Sequence, residues 1–188
     1  DDLLCQLRCS ALPGVAAGGY GIRIDNPGEE KFRANWHQDY HAQLRSLDGL
    51  VFWSPLLTVT PKLGPVEVCL GSHKLGPVRV QGANPGGKPG ADSGAGQKTG
   101  AYALTLENEQ ELIDQFERAA PCSKPGDLII IDYLALHQSG VNQSNRSRWS
   151  MQLRYFNFQE PSGIRDGWRG CYAAGNDLSQ MHPELIAP

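Results

Sequence analysis

The sequence predicts an all-β core, a sandwich or small barrel with few helices, and three observations carry that expectation. Short β-branched and aromatic runs recur between turn signals. Glycine and proline, 22 and 13 of 188 residues, exceed average usage and imply many turns. Two segments, 31–39 and 148–156, alternate so that one whole face of each is polar. Such a face is costly against a closed apolar core, so both segments are expected to line one polar lumen, which a small barrel supplies. The length suits a single domain over 1–188.

The elements follow in order. Tyr20 to Asp25 alternates as a strand, Asn26-Pro27-Gly28 turns the chain, and alternation resumes from Lys31 to Asp39. There Phe32, Ala34 and Trp36 share one face, and Arg33, Asn35, His37 and Asp39 the other. Leu50 to Thr60 reads as a strand interrupted by Pro55, which needs an edge or bulge. Val66 to Leu70 is a short strand entered by Gly64-Pro65 and closed by Gly71-Ser72-His73. Residues 82–100 hold seven Gly and two Pro in nineteen positions, with no Val, Leu, Ile or aromatic residue, and are expected to form a flexible loop, a lid or a tolerated insertion. Asn108 as cap, Glu111 as capping-box partner, and Leu112, Ile113 and Phe116 at helical spacing predict a helix over 108–119. Asp127 to Asp132 reads as a buried strand, Ala135 to Gly140 as a second stretch, and 141–147 as a polar loop. The last strand places Trp149, Met151, Leu153 and Tyr155 on one face, and Arg148, Ser150, Gln152 and Arg154 on the other.

Charge and cysteine usage exclude several classes. A net charge of −3 leaves no basic excess to neutralise a phosphate backbone, so no nucleic-acid partner is expected. No apolar run of 18 residues and no signal-peptide pattern occur, which points to a cytoplasmic protein that neither spans nor binds a membrane. The five cysteines lack a Cys-x-x-C pair and read as reduced thiols. Gly94 to Thr99 superficially resembles a phosphate loop but lacks the Gly-Lys adjacency and a preceding apolar strand.

His37-Gln38-Asp39 puts an imidazole and a carboxylate on the same side of one strand. The pair fits metal ligation, or simply a satisfied hydrogen bond. A third ligand is available in His137, and two His plus one carboxylate form the facial triad of non-haem Fe(II) oxygenases. Arg148, eleven residues beyond His137, opens a strand whose polar face shares the presumed lumen, where a guanidinium can take a carboxylate bidentately.

The ordered set His37-x-Asp39, Gly71-Ser72-His73-Lys74, Gly126-Asp127-Leu128-Ile129, His137-x-Ser139-Gly140-x-Asn142 and Arg148 resembles the phytanoyl-CoA dioxygenase family of Fe(II)- and 2-oxoglutarate-dependent oxygenases, across roughly 20–158. That resemblance implies a double-stranded β-helix, a cupin-like jelly roll with flanking helices. It implies iron on His37, Asp39 and His137, 2-oxoglutarate on Arg148 with help from Ser139, O2 as oxidant, and succinate and CO2 as products. It also implies a shortened N-terminal part. Retention of the Asp39 carboxylate points to hydroxylation or another oxidation rather than halogenation.

Arg33, Asn35, Gln152 and Arg154 face the expected lumen, as substrate contacts or as a polar network supporting the ligands, and would favour a small polar or anionic substrate. His41 is expected at the rim or as a substrate contact, and His73 in a structural turn. Two other readings stand beside the oxygenase. One is a cupin-type metalloenzyme that does not use 2-oxoglutarate, and the other a non-catalytic binding barrel.

Overall fold

A computed structural model of the chain describes residues 2–8, 12–30, 32–81, 104–169 and 178–188. The order is α1 (Asp2–Arg8), β1 (Pro13–Asp25), α2 (Asp39–Gln43), β2 (Gly49–Pro55), β3 (Val66–Cys69), β4 (Val80–Gln81) and β5 (Thr105–Leu106). It continues with α3 (Glu109–Ile113), β6 (Arg118–Ala119), β7 (Ile129–Asp132), β8 (His137–Ser139), β9 (Arg148–Asn157), α4 (Pro161–Asp166) and α5 (Leu178–Met181). The loop expected over 82–100 lies outside the described residues.

Two antiparallel sheets carry the architecture, one ordered β1-β9-β2-β7 and the other β6-β3-β8. The register of the larger sheet explains its polar strand face. Asp25 lies opposite Arg148 and Arg23 opposite Ser150, while Val51 and Trp53 stand opposite Arg154 and Gln152. With period 2 these residues share one face. It is the inner one, since Arg148 and Ser150 are buried while Trp149 and Met151 are exposed. The last strand thus runs as its alternation predicts, with the polar side inward. An apolar core around Trp36, Tyr40, Val51, Val66, Ile131 and Leu136 packs beside that polar interior.

Four expectations need correction. Within 31–39, Lys31 lies outside the described residues and the rest is no strand. The segment runs beside β8 through an isolated His37–His137 bridge and the Ser139 N–H bond to Ala34. All of 34–39 is buried, so the alternating faces do not exist there. The chain instead turns into α2 at Asp39. The helix expected over 108–119 spans only Glu109–Ile113: its N-cap Asn108 is left-handed (φ 49°) with no side-chain cap, and further on Arg118–Ala119 is taken as a strand by β3. Tertiary pairing overrides the helical period, although Leu112, Ile113 and Phe116 still pack on the core. The strand from Leu50 ends at Pro55, where the proline leaves the ladder one N–H short. Finally, β7 is half-exposed rather than buried: Leu128 and Ile130 point to the open face of the outermost strand.

Gly140, in the turn after β8, has a packing reason. A Cβ there would lie 2.5 Å from the Pro65 carbonyl oxygen and 3.0 Å from the Gly64 carbonyl carbon, both backbone atoms. Gly140→Ala is expected to cost about 1–3 kcal/mol, read as a lower urea midpoint with unchanged m.

Candidate metal centre

His37, Asp39 and His137 are all buried, and one potential ligand atom from each lies within 4.8 Å of the others. Three segments bring them together. His37 ends the irregular stretch beside β8, Asp39 is the first residue of α2, and His137 is the first residue of β8. The bridge is made in both directions, from the His37 N–H to the His137 carbonyl at 3.0 Å and back at 3.1 Å, so the two imidazoles stand side by side with centroids 4.2 Å apart.

The hydrogen bonds set the tautomers. His37 Nδ1 lies 2.6 Å from the Asn35 carbonyl, and His137 Nδ1 lies 2.9 Å from the Ala135 carbonyl. A carbonyl can only accept, so each Nδ1 carries the proton and each Nε2 presents a lone pair, the arrangement that orients metal-bound imidazoles. His37 Nε2 is 3.6 Å from Asp39 Oδ1. Burial and the adjacent His37 push the His137 pKa down to about 4, keeping that ring neutral at physiological pH. Burial alone would raise the Asp39 carboxyl, but the Arg154 guanidinium and the neighbouring histidines hold it well below its usual range. Two imidazoles and one carboxylate are a donor set for a divalent first-row metal, so the residues fit an ion. Among the described residues this is the one group of three or more His, Cys, Asp or Glu with such geometry.

Arg148 is 1% exposed. Its Nη2 donates to Asp25 Oδ2 at 2.6 Å and to Ser139 Oγ at 3.1 Å. Its Nε and Nη1, with the nearby Ser150 Oγ, are buried and have no hydrogen-bond partner among the described residues. Buried unpaired donors on a guanidinium are costly. Two such donors beside two serine hydroxyls fit a carboxylate ligand.

The remaining sequence candidates fall into two groups. Gln152 and Arg154 line the cavity at the triad with Arg23, Trp53, Gln138 and Ser139. Arg154 is also a partner of Asp39, donating from Nε to Oδ2 at 2.9 Å and from Nη2 to Oδ1 at 3.3 Å. Arg33 instead bonds Gln138 Oε1, the Ser139 carbonyl and Glu30, and Asn35 supplies the carbonyl that orients His37. Neither lines the cavity. His41 is neither at a rim nor on the wall of that cavity. It is 3% exposed, and its Nε2 donates to the Val78 carbonyl at 2.9 Å. His73 sits in the 3-10 turn Ser72–Leu75. Arg23, Asp25 and Gln38 went unnoticed in the sequence. A charged residue two before Asp25 on a lumen-facing strand was the available signal for the first two.

Burial drives the His41 pKa from 6.5 down to about 4. The unfolded chain therefore binds this proton first as pH falls, so His41 contributes stability above pH 6.5 that is lost towards pH 4. The loss reaches about 3 kcal/mol. Urea midpoints at pH 7 and 4.5 are expected to converge in His41→Asn relative to the parent.

Comparison with known proteins adds the following. A family model described as phytanoyl-CoA dioxygenase (PhyH) matches residues 13–150. No curated protein sequence matches the chain. Among solved structures, EctD from S. alaskensis with bound Fe is 20% identical with a TM-score of 0.58, over 85% of this chain and 50% of that one. The same protein with 2-oxoglutarate and 5-hydroxyectoine is 22% identical with a TM-score of 0.59, over 92% and 57%. The non-heme alpha ketoglutarate dependent epimerase SnoN, from nogalamycin biosynthesis, is 17% identical with a TM-score of 0.57, over 94% and 60%. These likenesses establish the cupin-like jelly roll, the double-stranded β-helix expected from the motif order. The chain spans 50–60% of the length of these three structures. No helix among the described residues is long and apolar enough to cross a membrane.

Proposed function

The chain belongs to the phytanoyl-CoA dioxygenase family, and from that premise we propose that it is an Fe(II)- and 2-oxoglutarate-dependent dioxygenase that hydroxylates a small organic substrate. The observation that carries this reading is the pairing of a buried His37–Asp39–His137 triad with a buried Arg148 whose Nε and Nη1 have no partner among the described residues. A cupin-type enzyme that does not use 2-oxoglutarate has no need of such a guanidinium, and a non-catalytic barrel has no need of an intact triad.

In this reading His37 and His137 would hold the metal through Nε2, each ring fixed by its Nδ1–H on a backbone carbonyl. Asp39 would complete the set, its charge offset by Arg154, which donates to both carboxylate oxygens. These three residues would be the protein's share of the metal's ligands. Arg148, with Ser139 and Ser150, takes the far carboxylate of 2-oxoglutarate as a charge-assisted contact. Bound Fe(II) would supply the redox chemistry that couples splitting of 2-oxoglutarate to succinate and CO2 with insertion of one oxygen atom into a substrate C–H bond. Retention of Asp39 supports hydroxylation over halogenation. Trp53, Gln138, Gln152 and Arg154 on the cavity wall suit a polar substrate. Arg33 and Arg154 are both engaged by protein groups, so neither by itself selects an anionic one.

Anaerobic Fe(II) plus 2-oxoglutarate is expected to give the weak visible charge-transfer band of the chelate. A wild-type protein that binds Fe(II) without developing this band on addition of 2-oxoglutarate would refute the cosubstrate assignment. Succinate release across a panel of metabolites then identifies the substrate.

A further inference from the structure

We propose that Gln38, the residue between the first two triad members, is the positioning residue that sets the geometry of the metal centre. The inference rests on the reading of His37, Asp39 and His137 as metal ligands.

The irregular backbone of 32–38 raises the question that Gln38 answers. A regular strand would place His37 and Asp39 on one side by its pleat, but here the bridge at His37 is isolated and α2 begins at Asp39. Another constraint must hold the two side chains together. Gln38 is 1% exposed, and its amide makes three bonds to backbone groups of two other segments. Nε2 donates to the Leu134 carbonyl at 2.7 Å and to the Gly76 carbonyl at 2.9 Å, while the Val78 N–H donates to Oε1 at 2.9 Å. Both amide hydrogens are used, and flipping the amide would set oxygen against two carbonyls, so the network fixes its orientation.

The identity of those partners makes the contact more than packing. Leu134 lies in the turn between β7 and β8, three residues before His137. The Gln38–Leu134 bond therefore ties the segment bearing His37 and Asp39 to the segment bearing His137 through a contact separate from the ligand side chains. The Tyr40 N–H bond to the Tyr133 carbonyl at 3.2 Å runs parallel to it. On the other flank, Val78 is gripped twice: its N–H by Gln38 and its carbonyl by His41. Gln38 thus anchors the ligand segment to two fixed points, and the triad inherits its spacing from them. Asp, Glu, Lys or a shorter residue at 38 cannot reproduce two donors and one acceptor at this reach.

The test is titration of the full chain with Co(II) or, anaerobically, Fe(II), followed by calorimetry and by visible absorption. Thermal unfolding is recorded with and without metal. Gln38→Met keeps the volume and removes all three bonds, and it is expected to weaken metal binding by about 10–100-fold and to shrink the metal-induced rise in Tm. Gln38→Asn, one methylene shorter, serves if the methionine variant is recovered unfolded, and the same weakening is expected of it. A folded variant with lower Tm but the wild-type metal Kd would overturn the proposal, since a merely structural residue gives that result. Wild-type protein that binds neither metal, with His37→Ala indistinguishable from it, would overturn the metal-centre reading and this inference with it. Wild-type binding that is lost in His37→Ala but retained in Gln38→Met removes this inference alone.

Discussion

His137→Ala is expected to abolish the visible band formed with Fe(II) and 2-oxoglutarate, and to reduce 2-oxoglutarate-dependent succinate formation to background. Loss of an orienting partner of a metal ligand typically costs 10–100-fold in affinity, so loss of the ligand itself is expected to cost about 100-fold or more. The substitution is a clean probe because the bridge between His37 and His137 is made by backbone atoms, which alanine retains. The side chain's other bond is to the Ala135 carbonyl at the same site. Far-ultraviolet circular dichroism is therefore expected to stay unchanged while the metal isotherm flattens. A variant with full band intensity would remove His137 from the ligand set.

Arg148→Met is expected to separate the two halves of the site: metal affinity within a few-fold of wild type, and 2-oxoglutarate affinity lower by about 100-fold or more. A hydrogen bond to a charged group is worth about 1.5–3 kcal/mol, and the carboxylate would lose two. The same change strands Asp25, which is buried on the opposing strand and would keep Arg23 as its partner. Removing one member of a buried ion pair costs about 3–5 kcal/mol, so a marked fall in Tm is expected as well. Adding Asp25→Asn to Arg148→Met is expected to recover part of that stability, since the two residues share one interaction. It is not expected to recover 2-oxoglutarate binding. If 2-oxoglutarate still titrated with wild-type affinity in Arg148→Met, the anchor would have to be sought on the cavity wall, with Arg23 the first alternative.

These two predictions show how legible the site was. His37 and Asp39 are two residues apart, and Arg148 follows His137 by eleven, so local spacing and motif order sufficed to nominate them. Their residue types left little freedom, because a neutral imidazole, a carboxylate and a guanidinium each have a narrow chemical use in a buried lumen. Strand β9 was legible for the same reason: its period of 2 is a local property, and burial of Arg148 and Ser150 only decided which side was inside.

What the sequence by itself determined was the jelly-roll class, the identity of the metal-binding candidates and the polar character of the lumen. Only the tertiary structure decided that 32–38 is not a strand, that the helix ends at Ile113 and Arg118–Ala119 pairs with β3, and that Arg154 and Asp25 are partners of Asp39 and Arg148, 115 and 123 residues away. It also showed Gln38 bonded to Leu134, 96 residues on. The physical reason is common to all of them. Periodicity and spacing report what a residue's near neighbours do. A hydrogen bond or ion pair across two strands depends on register, which is fixed when distant segments pack and leaves no trace in either segment alone.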